Sequence, residues 1–396
     1  MNPNRLCPGC MKEVQQPDKT CPNCGYLDRA YQQTRNCRVL PPYTILAGRY
    51  MLGKTLGEGG FGITYLAMDL KQQETVAIKE YFPVGLAARD TMDGNSELSC
   101  VTGNEKRQYY KHGLENFAKE ANNLMKFRSL PGVVSVKNFF YQNKTAYLVM
   151  EYIDGISLKQ YLNKRNKPIA EKNVLNVMRP VICALAKIHR AGMIHRDISP
   201  ENIMLARDGR VLLIDFGAAR SITGVETQCL TIILKHGYAP IEQYQTKGRQ
   251  GPWTDVYALC ATMYSALSGL SPEEAVERMD HDRMVPLKHV RFAAPLPQIS
   301  PKTSDIIEKG LSIQAQDRYQ DAEELRKALF RETAAPISEK EKEIPPAAVL
   351  SQEPPLKSGG NYTANEKIFL VVFLVIGIAT AFVLTAYLFG QLLALL

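Results

Sequence analysis

The alternation of apolar and polar positions divides the 396-residue chain into four regions. A Cys- and Pro-rich head runs to about Arg38, a mixed body follows, a Pro- and Glu-rich stretch spans about Ala334 to Glu366, and the tail is apolar. Within the body, Ile63 to Met68 predicts a strand, and Val76-Ala77-Ile78-Lys79 ends a second apolar strand. Phe117 to Leu124 carries helical spacing, and Ala146 to Tyr152 predicts a buried strand running into a polar link. No internal repeat stands out.

The tail from Ile368 to Leu396 contains no charged residue and is apolar all round. That length crosses a hydrocarbon core of ~30 Å, so a single transmembrane helix is expected over 368–390. A buried core helix usually keeps a polar edge, which this segment lacks. Lys357 and Lys367 precede it and no basic residue follows, so the positive-inside tendency predicts a single-pass protein of the cell membrane with its body in the cytoplasm. Gly377 and Ala381 form a small-xxx-small pair that would let two such helices approach. The stretch 334–366, with Pro345, Pro346, Pro354 and Pro355 among Glu, Lys and Ser, lacks the apolar mass to fold and reads as a flexible linker.

A net charge of +8 is too modest to specify an acidic partner. The start, Met1 to Cys10, has no apolar run, which argues against a cleaved secretory signal. Of nine cysteines, Cys37, Cys100, Cys183, Cys229 and Cys260 stand singly, as in a reducing compartment. The other four, Cys7-Pro-Gly-Cys10 and Cys21-Pro-Asn-Cys24, sit on two short knuckles whose spacing suits a tetrahedral Zn2+. Residues 1–38 are therefore expected to form a zinc ribbon, against the alternative of a redox or incidental cysteine pair. A closed four-sulfur site has no open coordination position, so its zinc would be structural. Arg5, Lys12, Lys19, Arg29, Arg35 and Arg38 make the head basic, which permits nucleic-acid binding but fits protein docking equally well. A regulatory or docking module is expected, and nucleic acid is not.

Leu56-Gly57-Glu58-Gly59-Gly60-Phe61-Gly62 is a GxGxxG loop, whose amides can approach phosphates that any Cβ would hold away. A dinucleotide-binding loop would require a following helix, whereas a strand follows here. The single lysine at the end of the next strand, Lys79, suits α- and β-phosphate oxygens, and Glu120 on the helical segment is its candidate partner.

Further along stand Ile194-His195-Arg196-Asp197-Ile198-Ser199-Pro200-Glu201-Asn202 and Leu213-Ile214-Asp215-Phe216-Gly217. With the glycine loop and Lys79, these resemble the catalytic loop and metal-binding triplet of the eukaryotic-type Ser/Thr protein kinase family, in a bacterial-like, membrane-anchored form. The resemblance covers about Tyr50 to Phe330. It implies an α+β bilobal kinase fold over 49–331, with a β-rich N-lobe and an α-helical C-lobe, transferring the γ-phosphate of ATP to Ser or Thr of protein substrates. By the same resemblance Asp197 orients the attacking hydroxyl and accepts its proton, Asn202 and Asp215 hold Mg2+, and Lys79, fixed by Glu120, aligns the nucleotide. The nucleotide would lie against Leu56, Gly57, Gly59, Gly60, Phe61, Gly62, Ala77 and the Met150-Glu151-Tyr152 link. Glu242 would pair with Arg318, Asp255 would brace the catalytic loop, and a homodimer would serve trans-autophosphorylation.

Two departures from the family pattern stand out. Members acting on Ser/Thr usually carry lysine two positions after the catalytic aspartate, where this chain has Ser199. Where they usually have Gly-Thr before a Tyr-Ala-Pro region, this chain aligns Leu234-Lys235. Hydroxyl and ammonium are expected to have exchanged places, with Lys235 reaching the phosphate and Ser199 hydrogen-bonding it; the rival is an exposed, substrate-contacting Lys235. Arg196 beside the catalytic aspartate implies control by phosphorylation, with Ser221, Thr223, Thr227 and Thr231 as candidates. The long connection from Pro83 to Asn116 predicts an ordered insertion. A pseudokinase membrane scaffold and a Tyr or dual-specificity kinase are the competing functions. The first predicts losses at Lys79, Asp197, Asn202 or Asp215, and none is lost; Pro200-Glu201-Asn202 resembles the Ser/Thr form rather than the second.

Overall fold

The computed structural model describes residues 5–330 apart from 16–19, 90, 92–95, 102, 217–233, 246–247 and 291–298. All of them belong to one compact unit, Met1–Val349. The linker 334–366, the apolar segment 368–390 and the four candidate phosphorylation sites lie outside the described residues. Among those that are described, no helix is long and apolar enough to cross a membrane.

The chain passes from two cysteine knuckles through α1 (Asp28–Thr34) into β1 (Ile45–Leu46), β2 (Tyr50–Glu58), β3 (Gly62–Asp69), β4 (Glu74–Tyr81) and the small hairpin β5 (Ala87–Ala88) and β6 (Ser99–Cys100). Helix α2 (Asn104–Met125) and strands β7 (Val136–Gln142) and β8 (Thr145–Glu151) complete the N-lobe. Six strands form one antiparallel sheet in the order β1-β2-β3-β4-β8-β7. β3 is buried along nearly its whole length rather than on alternate residues. The cause is that both of its faces are covered. Leu66 and Met68, two residues apart and so on one face, pack with Met51 of β2 and with Leu6 and Met11 of the cysteine head.

On the other face Tyr65 joins a buried polar cluster. The Glu80 carboxylate accepts from Tyr65 Oη (2.9 Å), Tyr147 Oη (2.7 Å) and both terminal nitrogens of Arg89 (2.7 and 2.8 Å). Glu80 and Arg89 side chains are fully buried. Arg89 reaches on to the Arg38 carbonyl at 2.6 Å, and Thr91 Oγ1 donates to the Cys37 carbonyl at 2.6 Å, so the segment joining head to sheet is strapped down. The described part of the connection after Pro83 carries the β5–β6 hairpin, with Arg89 directly after β5. Helix α2 also begins at Asn104, earlier than the periodicity around Phe117 predicts, because Gly113 and the charged residues of its first turns conceal the repeat.

The C-lobe follows as β9 (Gly155–Ser157), α3 (Leu158–Arg165), α4 (Glu171–Arg190), β10 (Ile203–Ala206), β11 (Val211–Leu213), α5 (Ile241–Tyr244), α6 (Pro252–Ser268), α7 (Ala275–Asp280), α8 (Pro301–Gly310) and α9 (Ala322–Leu329). A complete capping box between Ser157 and Gln160 starts α3. Helix α6, almost entirely apolar and buried, forms the centre on which α4, α8 and α9 pack. The small sheet β11-β10-β9 lies where the lobes meet, tied across by Val134 N–H to the Leu213 carbonyl at 3.0 Å.

Arg89→Met leaves the Glu80 charge buried without its counterion, so we expect a loss of about 3 kcal/mol or more in chemical denaturation. The double variant with Glu80→Met should recover much of that loss.

Candidate active site

The glycine loop is the turn between β2 and β3. It closes on itself through Gly59 N–H to the Gly62 carbonyl (2.9 Å) and is held from behind by Phe82 N–H to Phe61 O (3.0 Å) and Val84 N–H to Gly60 O (2.9 Å). A Cβ on Gly62 would lie 2.4 Å from the Glu80 carbonyl oxygen, so the sheet itself demands glycine there. At Gly57 and Gly59 the protein imposes no such crowding.

Lys79, near the end of β4, crosses the cleft to Asp215 Oδ1 at 2.8 Å. Burial disfavours its charged form, but Asp215, Glu120 and Asp197 outweigh that and raise its pKa above the ordinary lysine value. Glu120, buried on α2, thus acts on Lys79 as a nearby charge, while the short contact goes to Asp215. Desolvation likewise works against the Asp215 carboxylate, and Lys79 more than offsets it, holding the group below the usual carboxylate range.

The catalytic-loop segment hangs from one buried carboxylate. Asp255, at the start of α6, accepts from His195 N–H (2.7 Å), Arg196 N–H (2.8 Å) and His189 Nε2 (2.9 Å). These bonds restrain Arg196 in a left-handed backbone conformation, φ 69°, and Gln243 Nε2 donates to its carbonyl at 2.9 Å. His195 Nδ1 accepts from Asp197 N–H (3.2 Å), leaving Nε2 to donate to the Ile214 carbonyl (3.1 Å), while the ring packs on Phe216. Burial holds this imidazole below its ordinary pKa and therefore neutral. Asn202 Nδ2 donates to the Asp197 carbonyl (2.7 Å) and to Asp197 Oδ2 (2.9 Å), which fixes the amide and reserves its oxygen for a hard cation.

Lys235 Nζ lies 2.8 Å from Ser199 Oγ, 3.7 Å from Asp197 Oδ1 and 3.1 Å from Glu201 Oε2. Ser199 is buried and the Lys235 side chain is 19% exposed, so this lysine belongs to the cleft rather than the outer surface. Glu201 is a partner that sequence reasoning missed. Lower down, Arg318 forks onto Glu242 at 2.8 and 3.1 Å, and Thr254 Oγ1 adds a third bond at 2.9 Å. At the end of β8, the Glu151 amide is already given to the Ser135 carbonyl (2.9 Å), so it is not available to a nucleotide edge. Met150 is buried, Ala77 lies beside it across the β4–β8 register, and Leu56 is exposed at the cleft mouth.

Residues 50–330 match the family model of the protein kinase domain. The chain belongs to the protein kinase family. It is 31% identical over 323 residues to Serine/threonine-protein kinase F of Synechocystis sp., covering 80% of this chain and 61% of that one. It is 26% identical to Serine/threonine-protein kinase PrkC of Bacillus subtilis, covering 71% of this chain and 40% of that one. It thus spans less than two thirds of either relative. Among solved structures, the apo form of PpkA-294 superposes with a TM-score of 0.65 at 34% identity, covering 74% of this chain and 99% of that one. The PknI kinase domain of M. tuberculosis, at 19% identity and a TM-score of 0.52, shares the fold.

Away from the cleft, the four head cysteines come together. Their sulfurs all lie within 4.8 Å of one another, with Cys7–Cys24 at 3.7 Å and Cys10–Cys21 at 3.9 Å. A tetrahedron of Zn–S bonds has edges of about 3.8 Å, so the cluster fits zinc. Gly9 N–H donates to Cys7 Sγ at 3.3 Å. Burial would raise the Cys21 thiol, but the amides of Asn23 and Cys24 overcome it and bring its pKa down to about 7.

Because His195 is held neutral, the unfolded chain takes up a proton near pH 6.5 that the folded chain refuses. Its contribution to stability is complete above that pH and falls as pH drops below it, whereas those of Asp215 and Asp255, both depressed from 3.8, persist until far stronger acid. Between about pH 7.5 and 5.5 the wild type should therefore lose more denaturant stability than His195→Gln.

Proposed function

We propose that this chain is an ATP-dependent protein-serine/threonine kinase of the cytoplasmic face of the cell membrane. The observation that carries the reading is the convergence of Lys79, Asp197, Asn202, Asp215 and Lys235 on one cleft under the glycine loop. A pseudokinase scaffold has no need of that set. The names of the relatives support Ser/Thr rather than Tyr as acceptor.

Asp197 takes the position of the base that orients the substrate hydroxyl and accepts its proton. Mg2+, when bound by Asn202 and Asp215, neutralises phosphate oxygens. Lys79 aligns the nucleotide, the amides around Gly59 to Gly62 cover the transferred group, and Ala77 and Met150 line the base. Lys235, steadied by Ser199 and Glu201, supplies the cation that the family usually places two residues after the aspartate. It neutralises charge on the phosphoryl group in transfer, and its position beside Asp197 is the support for that role.

The remaining parts of the reading rest on chemistry and sequence. Cys7, Cys10, Cys21 and Cys24 hold a structural Zn2+, supported by their sulfur spacing. Residues 368–390 anchor the chain in the membrane, with 334–366 as the tether, supported by the uncharged tail. Protein substrates, phosphorylation among Ser221, Thr223, Thr227 and Thr231, and pairing of two chains for trans-autophosphorylation follow from the kinase reading.

Lys235→Met should lower kcat by roughly 100-fold or more while leaving binding of a fluorescent ATP analogue intact. The exchange variant Ser199→Lys with Lys235→Thr, which restores the usual family arrangement, should recover a large part of the activity in a radiolabelled phosphate-transfer assay. Full activity in Lys235→Met would rule out that role for Lys235.

A further inference from the structure

The outer edge of β2 is incompletely covered by its own sheet. β1 pairs only with Tyr50 and Met51, and the β2–β3 register slips between Leu52 and Thr55 and again between Thr55 and Gly57. Two amides at these slips, those of Lys54 within the first and Thr55 between the two, are taken up by the cysteine head. Lys54 N–H donates to the Pro8 carbonyl at 3.0 Å, and Thr55 N–H donates to Tyr31 Oη at 2.9 Å. The next residue in the chain is Leu56, where the glycine loop begins.

A continuous path leads back from these contacts to the sulfurs. Pro8 lies between the first two cysteines. A Cβ on Gly9 would fall 2.4 Å from Tyr26 Cβ, so the knuckle and Tyr26 are in close contact, and Tyr26 packs against Cys7, Val14 and Cys21. Tyr26 in turn lies ring to ring with Tyr31 at 5.6 Å. Gly53 completes the fit: a Cβ there would lie 2.2 Å from the Pro8 carbonyl oxygen and 2.3 Å from Met11 Cε, so β2 receives the knuckle only because it carries glycine at that point. Arg38, at the end of the head, reaches Glu58 inside the loop at 3.1 Å.

We infer that the cysteine head is a positioning device for the glycine loop, with Pro8 and Tyr31 as positioning residues: the metal cluster fixes them, they fix Lys54 and Thr55, and the loop's hold on ATP depends on both. The inference rests on the zinc and kinase readings above. Because the described residues of the head touch the strand that leads into the phosphate-covering loop, its loss weakens nucleotide binding in ground and transition states alike. Metal occupancy and ATP affinity are then linked reciprocally.

The test uses the full chain as wild type, Gly53→Val, Tyr31→Phe and the Cys21→Ser, Cys24→Ser double variant, with zinc measured by chelator release, steady-state kinetics against ATP, and hydrogen exchange by mass spectrometry. Gly53→Val should keep about one zinc per chain, raise KM for ATP roughly three- to tenfold and change kcat by less than about twofold, with faster exchange confined to residues 54–62. Tyr31→Phe should show a smaller rise of the same kind, and the double cysteine variant should lose zinc and match Gly53→Val. An unchanged KM in both Gly53→Val and Tyr31→Phe would overturn the inference, as would exchange accelerated evenly across the whole domain. Wild type without zinc, but with KM still raised in Gly53→Val, would refute the metal reading while upholding the contact. Absence of phosphate transfer from wild type would instead strike the kinase reading itself.

Discussion

Charge balance in one cleft is the constraint on which the rest of this structure depends. Asp197, Asp215 and Glu120 all act on Lys79, Glu120 buried and Asp215 about a third exposed, and such a concentration of carboxylates is costly unless cations sit among them. Two lysines meet that need from different directions. Lys79 comes down from the N-lobe sheet, and Lys235 comes in from the segment beyond Asp215 and Phe216. The family's usual lysine beside Asp197 is Ser199 here, and Lys235 brings an ammonium to the same side of the cleft.

The cations and carboxylates hold their places because the backbone beneath them is fixed by buried groups with several partners each. Asp255 gathers the amides of His195 and Arg196 with His189, while Glu242 of α5 is held by Arg318 and by Thr254 of α6. Above the cleft, Glu80 and Arg89 do the same for the sheet and for the strap that leads to the head. Each is a buried ion pair or carboxylate with several partners, the condition under which such groups specify one arrangement.

Much of the cleft is legible in the sequence, because phosphate chemistry constrains residue type at fixed spacing. The glycine loop, Lys79, the Asp197 to Asn202 segment and Asp215 are all placed by motif and order along the chain. The pairing of Lys235 with Ser199 is visible too, as a lysine missing at one position and present at another. Contact between distant parts of the chain is what the sequence hides. Glu80 and Arg89 are joined by a hairpin whose strands are too short to carry a pattern. Among the contacts by which the head meets the sheet are the Pro8 carbonyl, the Tyr31 hydroxyl, the apolar Leu6 and Met11 and the Arg38–Glu58 pair, none of which has a motif. Gly53 looks like any glycine, and only the nearness of Pro8 explains it. Helix α4 holds Pro180 in its interior, which breaks the usual sequence signature of a helix although packing keeps the helix whole.

The central claim is that this cleft transfers phosphate to Ser and Thr through Asp197. Incubating the purified full-length chain with Mg-ATP and mapping every modified residue by mass spectrometry, beside an Asp197→Asn control, tests it most directly. The account predicts phosphoserine and phosphothreonine in the wild type and none in the control. Phosphate on tyrosine alone, or equal modification of both proteins, would contradict it.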